Sequence, residues 1–88
     1  RLVHYTATGF APPSLDINSG ESVVFVNETD QPMWVASNPH PTHGDLVGFD
    51  QKVPVGKAGR YGFSFTKVGD FGYHNHLNPA QTGTIVVK

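Results

Sequence analysis

Apolar and polar residues alternate in short runs broken by turn residues, and no stretch sustains the 3.6-residue period of a long helix. Seven segments read as strands: Leu2 to Ala7, Ser14 to Asn18, Ser22 to Asn27, Met33 to Ala36, Arg60 to Thr66, Asp70 to Asn75 and Thr84 to Lys88. Pro12-Pro13, Asn18-Ser19-Gly20, Gly56 to Gly59 and Gly69-Asp70 supply the punctuation between them. The run Val23-Val24-Phe25-Val26 is nearly continuous in apolar character, which predicts a central strand covered on its faces. Seven short strands predict an all-β sandwich, with residues 1–88 as a single domain. A chain of this length buries a modest core, so stability must come from sheet packing, to which any ion that favours the folded state would add.

The segment Ser37 to Val55 breaks the regular spacing. It holds few strand formers, and within it lies Asn38-Pro39-His40-Pro41-Thr42-His43-Gly44. Long ordered loops in small domains tend to carry function. The strand Asp70 to Asn75 is the other point of interest. Side chains alternate along a strand, so Phe71, Tyr73 and Asn75 share one side while Gly72, His74 and His76 share the other. The aromatic side is expected to be the core. His74 and His76 then point away from it, with Cβ atoms about 7 Å apart.

Composition sharpens this picture. Six Lys and Arg balance seven Asp and Glu spread along the chain, which argues against a nucleic-acid partner. No apolar run approaches the ~20 residues of a membrane span, so no direct membrane insertion is expected in this segment. The chain opens at Arg1-Leu2-Val3-His4 without a signal-type segment, as a trimmed or mature domain would. Cysteine is absent, and with it any disulfide or thiolate ligand. Five histidines are present, four of them in two tight pairs.

The C-terminal run Gly69-Asp70-Phe71-Gly72-Tyr73-His74-Asn75-His76-Leu77-Asn78-Pro79-Ala80-Gln81-Thr82-Gly83-Thr84 resembles the ligand-bearing strand and loop of the cupredoxins, the plastocyanin-type family. Gly9-Phe10-Ala11-Pro12, Gly20-Glu21-Ser22-Val23, and Asn27 followed by Pro32 extend the resemblance over nearly the whole chain. It implies a Greek-key β-sandwich. A blue-copper site needs a thiolate, two imidazoles and a weak axial thioether. In this alignment the family's cysteine falls on Asn75, its histidines on Met33 and Asn78, and its methionine on Gln81. The chain therefore resembles a subfamily that lacks the type 1 copper ligands, and Asn75 and Asn78 are expected to hydrogen-bond the loop backbone instead.

The histidine pairs offer a different centre. If the loop runs over the outer side of the sheet, His40 and His43 meet His74 and His76, and four imidazoles surround one point. A nitrogen-only site suits copper, with zinc as the alternative. Asp45 and Asp50 are candidates to orient the imidazoles. His4 reads as a surface residue. Trp34, Phe49, Tyr61, Phe63, Phe65 and Phe71 read as core or loop-packing aromatics, because no basic groove accompanies them.

The expected function is metal binding, storage or delivery outside the cytoplasm, whether periplasmic, secreted or membrane-anchored, with a metal donor or acceptor protein as partner. A filled histidine site argues against an enzyme. The rival readings are an electron-transfer cupredoxin and a metal-free β-sandwich interaction module. A ligating imidazole must be neutral, so metal release is expected below about pH 6.

Overall fold

The computed structural model describes residues 1–40 and 43–88. Eight strands are present: β1 (Leu2–Thr6), β2 (Gly9–Ala11), β3 (Ser14–Ile17), β4 (Ser22–Asn27), β5 (Val35–Ser37), β6 (Arg60–Ser64), β7 (Gly69–Asn75) and β8 (Asn78–Val87). They form two four-stranded sheets, ordered β2-β1-β4-β6 and β3-β8-β7-β5. Pairing is antiparallel except for β1 with β4 and β3 with β8. Among the described residues no helix is long and apolar enough to cross a membrane.

Period-two alternation decides what each strand buries. Val3 and Tyr5 of β1, Val23 and Phe25 of β4, Phe71 and Tyr73 of β7, and Ile85 and Val87 of β8 all face one shared core. Phe10, Phe49 and Phe65 complete it. Around Tyr73 the aromatic rings meet edge to face: it lies 5.1 Å from Phe25 at 72° and 4.9 Å from Phe10 at 80°. Such geometry sets the positive ring edge against the negative ring face. Opposite Tyr73 on β8 is Gly83, and a side chain there would strike the Tyr73 ring and hydroxyl.

Three strand assignments from the sequence need correction. The missed strand, β2, pairs with β1 across the turn at Ala7-Thr8. The Thr6 hydroxyl donates to the Gly9 carbonyl at 2.9 Å, so side-chain chemistry closes a hairpin that alternation over three residues does not reveal. Strand β5 covers Val35–Ser37 rather than Met33 to Ala36; Met33 forms an isolated bridge with Val55. The C-terminal strand begins at Asn78, not Thr84. Asn75 pairs with Asn78 while His74 pairs with Thr82, so Pro79-Ala80-Gln81 bulge from the ladder. That bulge carries the turn composition that hid the strand.

Candidate metal centre

Strand β7 carries the expected division of faces. Phe71, Tyr73 and Asn75 are buried toward the core. His74 projects from the opposite face yet is only 1% exposed, because the segment after β5 lies over it. Backbone bonds fasten that segment. Asn38 N–H donates to the Gly72 carbonyl at 3.0 Å, continuing the β5–β7 ladder by one residue. The Asn38 carbonyl then accepts from Asp45 N–H at 2.9 Å, which closes the loop on itself. Further on, Ser37 N–H donates to the Phe49 carbonyl and Gln51 N–H to the Val35 carbonyl, so the chain returns antiparallel along β5. Inside the closed loop are His40 and His43. His43 N–H donates to the Pro39 carbonyl at 2.7 Å, and His43 adopts a left-handed backbone with φ 57°, a conformation histidine tolerates better than most side chains. Pro41 and Thr42 lie outside the described residues.

The four imidazoles converge. One nitrogen from each of His40, His43, His74 and His76 lies within 4.8 Å of the other three. His40 Nδ1 is 3.2 Å from His74 Nε2, and His43 Nε2 is 3.0 Å from His76 Nδ1. Ring positions define the shape. The four pairs that cross between loop and strand have centroids 4.8 to 5.1 Å apart. The pairs adjacent in sequence are farther apart, at 6.1 Å for His40–His43 and 6.4 Å for His74–His76. A regular tetrahedron would make all six distances equal, and a square would make its diagonals about 1.4 times its sides. The long pairs here exceed the short ones by a factor of about 1.3, which describes a flattened tetrahedron.

Partners behind the rings fix which nitrogen faces inward. Asn38 Oδ1 lies 2.8 Å from His74 Nδ1, and a carboxamide oxygen only accepts, so the proton sits on Nδ1 and the Nε2 lone pair points into the cluster. Asp50 Oδ2 does the same for His43 Nδ1 at 3.0 Å. The other Asp50 oxygen accepts from the Trp34 indole N–H at 2.7 Å. Trp34 also packs against His76, with ring centroids 4.3 Å apart, and its carbonyl accepts the His76 N–H at 2.7 Å. This arrangement of carboxylate, imidazole and inward lone pair is the one metal-ligating histidines use.

Electrostatics follow from the crowding. Burial, then repulsion from His43, His40 and His76, pushes the His74 pKa down to about 4. Burial and the neighbouring His43 and His40 lower that of His76 as well. At Asp50 burial raises the pKa, but hydrogen bonds from Trp34 and His43 outweigh it and hold the carboxyl below its usual range. Near neutral pH the site therefore presents uncharged His74 and His76 beside one carboxylate.

Other residues singled out from the sequence fall elsewhere. Asp45 is exposed and shows no side-chain hydrogen bond among the described residues, so of the two acids only Asp50 orients a ring. His4 lies on β1 and pairs with Glu28, away from the cluster. Asn75 does bond backbone: Oδ1 accepts from Trp34 N–H at 3.0 Å and Leu77 N–H at 3.2 Å. Its Nδ2 donates to the Tyr5 hydroxyl at 3.0 Å and the Pro32 carbonyl at 3.2 Å. Asn78 does not share that role; it is exposed, with no side-chain hydrogen bond among the described residues. Trp34, read as a packing aromatic, touches the cluster instead. Asn38 was missed altogether, and its only signal was its place directly before Pro39-His40.

No family model matches the sequence, and no curated protein matches it. Solved structures do. A reduced amicyanin variant superposes with a TM-score of 0.86 at 22% identity, over 100% of this chain and 81% of that one. A Cu(I) form of another amicyanin variant gives 0.86 at 23%, over 100% and 81%. A purple cupredoxin from Nitrosopumilus maritimus gives 0.85 at 20%, over 99% and 98%. With its two sheets and their shared core, the chain has the cupredoxin-like fold, without cysteine and so without the type 1 ligand set.

Proposed function

We propose that this chain binds one copper(II) ion through His40, His43, His74 and His76, and that it serves copper binding, storage or delivery outside the cytoplasm. The observation that carries the reading is the convergence of four imidazole nitrogens from two remote segments, two of them locked in the ligating tautomer by Asn38 and Asp50. Four neutral nitrogen donors suit copper, and the Irving–Williams order favours it over zinc at equal availability. Four ring nitrogens complete a four-coordinate protein set with no position set aside for a substrate, which supports carriage over catalysis.

Calorimetric titration with Cu(II) and with Zn(II) tests the reading. One equivalent of copper bound more tightly than zinc is the expected result. The loaded protein has no sulfur donor and should lack intense blue colour. Absence of heat at micromolar protein would leave the metal-free interaction module. A fast reversible couple in voltammetry would favour the electron carrier, which the lack of thiolate and thioether argues against.

A further inference from the structure

The four imidazoles are held unequally. Three rings have a neighbour outside the cluster: His43 Nδ1 is bonded by Asp50, His74 Nδ1 by Asn38, and the His76 ring packs on Trp34, whose carbonyl anchors the His76 backbone N–H. His74 is buried, His43 is 9% exposed and His76 is half-buried. His40 differs on both counts. It is exposed, and its one described hydrogen-bond contact is with His74, inside the cluster.

We propose that His43, His74 and His76 form a fixed three-nitrogen seat, and that His40 is an exchangeable fourth ligand through which the ion enters and leaves. This rests on the metal reading above and gives it a direction of traffic. An ion reaching the seat loses water as the His40 ring swings in. To leave, the His40 nitrogen is replaced by one donor atom of an acceptor, each of the three remaining nitrogens is then exchanged for a further acceptor donor or a water, and the ion keeps its oxidation state throughout. Rotation of an exposed ring costs little. Releasing His43 or His74 first would separate a buried imidazole from its hydrogen-bonded partner. The acceptor is identified by chemistry alone: a nitrogen, oxygen or sulfur ligand presented at the solvent side of the cluster.

The test uses His40→Ala and His76→Ala beside the unaltered protein. Cu(II) affinity is measured against a competing chelator, transfer to EDTA by stopped flow, and directly bound nitrogens by pulsed EPR with 15N-imidazole. His40→Ala should keep one-equivalent binding and lose at least about tenfold less affinity than His76→Ala. It should give copper to EDTA faster than the unaltered protein, and it should take up one exogenous imidazole that slows transfer again. The inference is overturned if His40→Ala loses as much affinity as His76→Ala, or if its copper accepts no imidazole. The imidazole arm decides the matter even if His76→Ala does not fold, because the altered side chain of His40→Ala is exposed. Failure of the unaltered protein to bind copper overturns the metal reading itself, a separate outcome.

Discussion

The two faces of β7 put their polar side chains to opposite uses. On the inner face, Asn75 stands where the resemblance places cysteine, and its amide is used up by Trp34, Leu77, Tyr5 and Pro32. With both ends of the amide engaged, that face has become hydrogen-bonded structure. On the outer face His74, joined by His76 in the turn just beyond the strand's end, aims a nitrogen toward two more imidazoles. A strand's two-residue period lets one segment support the fold and the site separately.

The largest expected effects should separate these faces. His76→Ala removes a ligand and should abolish measurable copper binding at micromolar protein, with little change in the denaturation midpoint of the ion-free chain. Asn75→Ala should do the reverse. It leaves buried backbone groups without partners, which costs on the order of 3 kcal/mol of stability, while lowering copper affinity much less than His76→Ala does. Chemical denaturation and chelator competition on both variants read the two quantities. Equal damage by both to both would dissolve the comparison.

A smaller effect should appear one layer behind the ligands. Asp50→Asn keeps the shape but loses the carboxylate that sets the His43 tautomer, and it should weaken copper binding about 10–100-fold. Gly72→Ala reaches the same layer from the strand, since an added Cβ would come 2.5 Å from Asn38 Nδ2. The Asn38 side chain must then move, and His74 loses its hydrogen bond. The expected outcome is weaker binding in a chain that still folds, read by the same competition assay.

Acid should act on the site in a known direction. The His74 pKa of about 4 lies below its ordinary 6.5, so between these values the unfolded chain holds a proton that the folded chain does not. Ion-free protein should therefore gain stability as pH rises from about 4 to 6.5, and lose it on the way down. Thermal melts across that range check this. Copper should leave further into the acid range than the pH of about 6 expected of ordinary imidazoles, because His74 and His76 resist protonation.

The smallest effect belongs to the inner face. The Tyr73 hydroxyl is buried without a hydrogen-bond partner among the described residues. Tyr73→Phe removes a polar group that gains nothing, so the melting temperature should hold or rise slightly.

Most strands and part of the core were legible in the sequence because alternation is a local signal: Phe71 and Tyr73 declare their face by spacing, and the apolar run Val23 to Val26 marks a buried strand. The meeting of His40 and His43 with His74 and His76 was legible through pairing and the expected course of the loop. What stayed hidden depends on tertiary contact. Asn38 and Trp34 reach the cluster only because β5 lies beside β7, and nothing in their own neighbourhood separates an Asn before a proline from any other turn residue. Strand β8 was shortened for a similar reason: Pro79-Ala80-Gln81 has a loop's composition inside a ladder that resumes on both sides.

Anomalous scattering at the copper edge, from crystals grown with one equivalent of Cu(II), probes the centre most directly. A single peak should lie about 2.0–2.1 Å from His40 Nδ1, His43 Nε2, His74 Nε2 and His76 Nδ1. A copper peak elsewhere, or none between these rings, would contradict the account.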